Sequence, residues 1–374
     1  MEPKRDGKGS NIVGPRNPER ERQNPDMIVS PPTDWGTVLN MKWSFADSHM
    51  RLEDGGWARE VTVRELPMSR ELAATNMRLE EGVIRDLHWH NDSEWGYILE
   101  GRVRITGIDY GGLYFEEDVK KGDLWFFPRG VPHSLQGLEG GCEFLLIFDD
   151  GEATEFKAFQ LTDWLAHTPR DVLRKNFKVP ASTIEKLPAR EKFIFRSVLS
   201  GRTCEEEREG KPLTRRRLVH RMLEQEPVKV EGGEVRIADA SNFPITTISA
   251  AHVIINVGAI REMHWHPLAD EWSYFIKGKA RVTVFTVQAT RTFNFQEGDV
   301  MIVPANCGHY IENIGTEPIE MLEIFRSPKF EEMSLNQWLA VTPPEIVQAH
   351  LNTTDEFTRQ LDPGHTPVRM MPKL

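Results

Sequence analysis

A chain of 374 residues, 39% hydrophobic and 28% charged, has the composition of a soluble globular protein and the length for two domains, each with its own core. Its net charge of −11 excludes non-specific nucleic-acid binding, which needs a basic face, but not a small anionic substrate, which senses only its pocket. The three cysteines, Cys142, Cys204 and Cys307, lack CxxC spacing, so no disulfide framework is expected and a reducing compartment is the simpler reading.

In chain order, Met1 to Asp26 is charged and rich in Arg, Asn and Pro, with no apolar stretch of the secretory kind. No run of about 18 apolar residues occurs, so no membrane span is expected, and the expected compartment is the cytoplasm. Residues 1–48 have no counterpart later in the chain and are expected to form an arm packing on the second of two barrels. From there the chain repeats itself. Gly82-Val-Ile-Arg-Asp-Leu-His-Trp-His90 returns as Gly258-Ala-Ile-Arg-Glu-Met-His-Trp-His266. Gly122-Asp123, Pro128 and His133 return at the same offset as Gly298-Asp299, Pro304 and His309.

Each copy reads as β-rich. Arg102 to Thr106 and Ala280 to Phe285 alternate as half-buried strands do, and glycine pairs such as Gly111-Gly112 and Gly232-Gly233 mark turns. Many short strands at close spacing predict a jelly-roll barrel rather than a parallel sheet. After each barrel a helix is predicted, over Asp171–Phe177 and Glu345–Leu351, with Thr168-Pro169 and Thr342-Pro343 as N-cap and first helical residue. The charge-rich Cys204 to Arg217 is expected to be an exposed connector. The predicted fold is mainly β: two tandem jelly-roll barrels with short helical segments after each, over residues 49–225 and 226–374.

The chemistry lies in His88, His90, Glu94 and His133, and in His264, His266, Glu271 and His309. Residues i and i+2 of a strand face the same way, so the paired imidazoles of each set can meet one ion. Three neutral nitrogens and one carboxylate leave positions open on an octahedral metal, which suits manganese or iron better than structural zinc. A lone HxH is usually an ordinary polar pair. The same four-residue pattern twice in register, with its flanking glycines, is not.

The motifs resemble those of the cupin superfamily: Gly82-x5-His88-x-His90-x3-Glu94-x6-Gly101, then Gly122-x5-Pro128-x-Gly130-x2-His133. The second copy departs mildly, with Asn306 where Gly130 stands, and the first has Gly137 where the second has Asn313. Within the cupins the resemblance is to the bacterial bicupin oxalate decarboxylases, carried by Trp57 to Leu66, Gly122-Asp-Leu-Trp125, Phe144 to Gly151 and Ser334-Leu-Asn-Gln-Trp338.

That resemblance implies conversion of oxalate to formate and carbon dioxide, two Mn(II) per chain, dioxygen as co-catalyst and a hexamer. Arg85 and Arg261, each three residues before a metal histidine, are then the expected partners of the substrate carboxylates. Glu155 matches the family's lid glutamate, the proposed acid/base. The usual lid reads Ser-Glu-Asn-Ser, whereas this chain has Thr154-Glu155-Phe156-Lys157. Glu323 aligns with a carboxylate near the second metal, and Phe193 stands where relatives carry tyrosine. These asymmetries favour the first site for catalysis, with the second supporting structure or electron transfer. Trp89 and Trp265 are expected on the opposite strand face, as packed aromatics or redox residues. The rival readings are an oxalate oxidase producing peroxide, a non-catalytic bicupin, and an iron dioxygenase of small acids.

Overall fold

Successive side chains on a strand point to opposite faces, so a strand can bury one face against a core while the other meets solvent. The computed structural model, which describes residues 2–370, shows this pattern in two compact units. Met1 and residues 371–374, at the outer ends of the expected arm and second domain, lie outside the described residues. Among the described residues no helix is long and apolar enough to cross a membrane.

One unit comprises residues 47–224 and 240–247. Its axis is the antiparallel pair Glu94–Ile108 and His133–Phe148, running from Phe148↔Glu94 to His133↔Gly107 with register shifts between Gly137 and Cys142 and between Glu143 and Phe144. Ala73–Leu79, Gly56–Val61 and Met50–Glu53 extend the sheet on one side, and Asp123–Phe127 and Val219–Arg221 on the other. Trp125, Phe127, Phe144, Leu146, Ile98 and Val103 fill the interior. Burial of such side chains contributes about 1.5–3 kcal/mol each.

The other unit comprises residues 1–46, 225–239 and 248–374. Here the jelly roll is two sheets. One runs Val228–Val230, Gly233–Ala238, Ser249–Ile255, Ile319–Phe325, Glu271–Lys277, Asp299–Val303. The other runs Ala289–Gln296, Lys279–Thr286, Gly308–Asn313, Ala259–Trp265. Phe275 of the first sheet stacks on Phe295 of the second at 4.9 Å. The N-terminal segment belongs to this unit: its strand Lys42–Ser44 pairs with Asp299–Val303. Asp26 is buried there, accepting hydrogen bonds from Arg281 Nε at 2.8 Å and Asn294 Nδ2 at 2.6 Å.

One local reading shifts and another is refined. The helices are Arg170–Phe177 and Pro344–Leu351, with Pro169 and Pro343 themselves at the N-caps, so the expected threonine cap lies one residue too early. A proline there has its φ already near the helical value and no N–H to satisfy. Cys204 to Arg217 is largely exposed, as expected of a connector, and it is anchored rather than loose. It forms a short helix, Cys204–Arg208, tied along the strand Tyr114–Lys120 by Arg208 to the Glu116 carbonyl, Tyr114 N to the Pro212 carbonyl and Thr214 N to the Tyr114 carbonyl. Of its charges, Arg208 pairs with Glu117 of that strand.

Replacing Asp26 with Ala leaves the buried Asn294 amide without its acceptor and removes the main partner of Arg281, which keeps Glu312. The expected loss is about 1–3 kcal/mol in chemical denaturation of the unit holding the arm. Glu19→Ala, which removes only an exposed pair with Arg22, is expected to stay within about 0.5 kcal/mol.

Candidate metal centres

The strand Ile84–Trp89 shows how the first centre is assembled. Arg85 and His88 are three residues apart, and strict alternation would aim them at opposite faces. Both are buried, while Leu87 is 53% exposed. The register explains it: His88 pairs with His133 but Arg85 with Leu135, so three steps on one strand match two on the other. That bulge turns Arg85 to the interior. The second copy does the same, with His264↔His309 and Arg261↔Ile311.

Hydrogen bonds then aim the imidazoles. Nδ1 of His88 lies 2.8 Å from the Asp86 carbonyl, and Nδ1 of His133 lies 2.8 Å from that of Val131. A carbonyl oxygen can only accept, so Nδ1 carries the proton and Nε2 presents a lone pair inward. His264, His266 and His309 are fixed alike by the carbonyls of Glu262, Glu331 and Cys307. Glu94 is set by Trp125, whose Nε1 donates to its Oε1 at 2.9 Å. A Cβ on Gly96 would come within 2.1 Å of the Trp125 ring, so glycine is required for that indole to lie across the strand.

In each set the ligand atoms lie within 4.8 Å of one another, all buried. Nε2 of His88 has no hydrogen-bond partner, a costly condition for a buried nitrogen that a cation would relieve. Burial, then neighbouring positive charge, keeps His88 and His264 well below the ordinary imidazole pKa, as neutral ligands require. Burial would raise Glu94 and Glu271, but the facing histidines outweigh it and hold both as carboxylates. The donor sets fit one six-coordinate cation each.

The predicted acid/base and arginines converge on these sets. Glu155, wholly buried, places Oε1 2.6 Å from Arg85 Nε and 3.5 Å from His88 Nε2, and Oε2 3.3 Å from His90 Nε2. Arg85 also binds Asp86, while its Nη2 has no partner. Arg261 is more fully engaged: Nε meets Glu323 at 3.0 Å, Nη1 meets the Pro367 carbonyl at 3.0 Å, and Nη2 meets Glu332. Burial raises the Glu323 pKa above its ordinary value despite Arg261. Trp89 and Trp265 sit away from the metals, against Phe159 and Trp164 and against Trp338. Cys307 lies outside the ligand set and is half-buried.

Asp86, Glu60, Glu332 and His365 escaped the sequence reading. Only Asp86 had a signal, since it adjoins Arg85 and has an acidic counterpart, Glu262, in the second copy. Glu60, on the strand Gly56–Val61, and Glu332 and His365 meet partners far from them in sequence.

The cupin family model matches residues 45–185 and again 220–359, so the protein is a two-domain cupin. Oxalate decarboxylase OxdC of Bacillus subtilis is 53% identical over 375 residues, covering 98% of this chain and 96% of that one. A probable oxalate decarboxylase of Arthroderma benhamiae is 40% identical over 362 residues, covering 95% and 89%. The chain belongs to the oxalate decarboxylase family of two-domain cupins. Solved structures of the Bacillus subtilis enzyme superpose with a TM-score of 0.97 at 52% identity, covering 100% of both chains, and one of them concerns its Mn(II) centres. A structure of an oxalate decarboxylase that superposes equally well concerns the substrate binding mode.

The second centre is closed by the segment His365–Met370. Val368 pairs with Arg261, Arg369 Nε donates to Glu262 at 3.0 Å, and His365 Nε2 lies 2.8 Å from Glu332. Hydrogen bonds to Glu262 and Glu332 raise the His365 pKa to about 9. A folded value above the ordinary 6.5 stabilises fully below 6.5 and is lost as pH rises through 9. Because His365 is half exposed, the effect is screened. His365→Gln should lower Tm at about pH 6, with the gap closing by about pH 10; a gap that is constant or grows with pH contradicts the pairing.

Proposed function

We propose that this protein decarboxylates oxalate to formate and carbon dioxide, with two Mn(II) per chain and dioxygen as co-catalyst. The observation that carries it is Glu155, a wholly buried carboxylate between a buried arginine and two inward-facing histidines. His88, His90, Glu94 and His133 would hold one ion, and His264, His266, Glu271 and His309 the other. Bound manganese supplies a Lewis-acid anchor and a one-electron couple.

The chain's own residues account for the remaining steps. The unpaired Nη2 of Arg85 is a donor left over for a substrate carboxylate. Glu155, within reach of that position, takes the proton of hydrogen oxalate and returns it to the carbon from which carbon dioxide has left. Atoms balance: HC2O4⁻ gives CO2 and HCO2⁻, with no net oxidation. An oxalate oxidase has no product carbon to protonate and so no need of Glu155, which favours decarboxylation.

The first site is the seat of turnover. Arg261 and Glu323 hold the corresponding places at the second centre as substrate-binding and catalytic candidates. There, however, Glu323, Glu332 and the Pro367 carbonyl occupy the guanidinium, which supports a structural or electron-transfer role. We take residues 49–225 and 226–374 as the two domains and 1–48 as the arm of the second. Exposed Trp164 and Trp338, on the short helices Leu161–Ala166 and Leu335–Val341, support a homo-oligomer, a hexamer by the family resemblance. The three free thiols support a cytoplasmic location.

Manganese-loaded protein incubated with oxalate should yield formate in the presence of dioxygen and lose that activity in its absence. Stoichiometric peroxide without formate would overturn the reading, and absence of bound transition metal would restore the non-catalytic one. Glu155→Gln should lower formate production about a hundredfold while metal analysis still finds both ions. His88→Ala should remove one ion and the activity together.

A further inference from the structure

The turn that presents Glu155 is held from two sides. On one, the buried Glu60 carboxylate accepts the Thr154 hydroxyl at 2.7 and 2.9 Å and the Glu155 N–H at 2.7 Å. On the other, Phe156 leaves the turn and packs against the barrel core, its ring edge-on to Phe193 at 5.8 Å and 72°. Phe193 is itself buried beneath two guanidiniums. Arg51 Cζ lies 4.0 Å from its centroid and Arg85 Cζ 4.1 Å. Arg51 also reaches the Phe156 ring at 5.6 Å and is anchored by Glu53 and Glu191. The Phe193 carbonyl accepts from Asp86 N at 3.1 Å, and Ile194 pairs with Arg85.

We infer that Phe156 is a positioning residue: seated on the Phe193, Arg51 and Arg85 stack, it fixes the turn that carries Glu155 to the same ring that orients Arg85. Guanidinium–ring attraction and ring–ring contact act together in a water-poor setting. Lifting the turn takes an aromatic ring off an apolar seat into water, so the closed arrangement is favoured. A polar side chain at this position, such as the asparagine of the usual family lid, would leave Glu60 as the main hold. Phe193, lacking a hydroxyl, accepts this packing without a polar partner. The device seats the acid/base beside the substrate-facing cation, which stays in its strand when the turn lifts. Its meaning for catalysis rests on the decarboxylase reading; its geometry does not.

The test is amide hydrogen exchange on the full-length manganese-loaded protein, with formate and peroxide measured on the same samples. Phe156→Ala should speed exchange of residues 152–158 about tenfold, with the rest of the barrel unchanged, and raise the ratio of peroxide to formate severalfold. Phe156→Tyr, which keeps the ring, should restore both. Should the alanine variant fail to fold, Phe156→Leu keeps apolar volume without the ring and should still loosen the turn. Parent-like exchange in the loosened variant, or exchange raised equally throughout the barrel, would overturn the inference. If the parent itself makes no formate, the functional reading fails while the exchange result still decides whether Phe156 positions the turn.

Discussion

A guanidinium cannot shed its proton, so an arginine sealed inside a barrel must be matched by negative charge brought to it. Arg85 and Arg261 are both fully buried, and much of what surrounds each metal set follows from how that demand is met. In the second barrel the partner, Glu323, sits mid-strand in Ile319–Phe325, paired on both sides by Ser249–Ile255 and Glu271–Lys277. In the first, Asp86 beside the arginine supplies one carboxylate, and the glutamate facing the metal set, Glu155, is delivered by the short turn Glu155–Lys157 outside the sheet. One carboxylate is built into the framework; the other arrives on a loop. Glu332 and the Pro367 carbonyl complete the second guanidinium, whereas the first keeps a vacant donor. Two copies of one metal motif have thus been given different freedom by the same electrostatic requirement.

The ligands were legible because strand periodicity operates at short range. His88 and His90 share a face by spacing alone, and the repeat with His264 and His266 made accident untenable. Gly130 and Asn306 both take positive φ, at 69° and 65°, the conformation that asparagine tolerates better than most residues. Gly137 in place of Asn313 also has a steric reason: a Cβ there would lie 2.3 Å from the Glu80 carbonyl. In the second copy the Asn313 amide instead donates to the carbonyls of Ile255 and Glu317.

What stayed hidden depends on contacts between distant segments. Alternation alone would have sent Arg85 to the face opposite His88; only pairing with His133–Phe148 reveals the bulge. Glu60 reads as one of many acidic residues until the turn at 154–157 is laid against it. Phe193 was noticed as a missing tyrosine, and the ring's place beneath two cations required the fold. The helix starts slipped by one residue because Thr-Pro describes a cap and first turn equally well when proline can occupy either place.

The central claim is that turnover belongs to the centre whose arginine keeps a free donor and whose glutamate comes from a loop. The most direct measurement is the rate of formate production by Arg85→Lys and by Arg261→Lys, each checked for two bound metals. Lysine keeps the buried charge and loses the fork that engages a carboxylate. A loss of about a hundredfold or more is expected for Arg85→Lys and a change within about threefold for Arg261→Lys. Equal losses in both variants, with both metals retained, would contradict it.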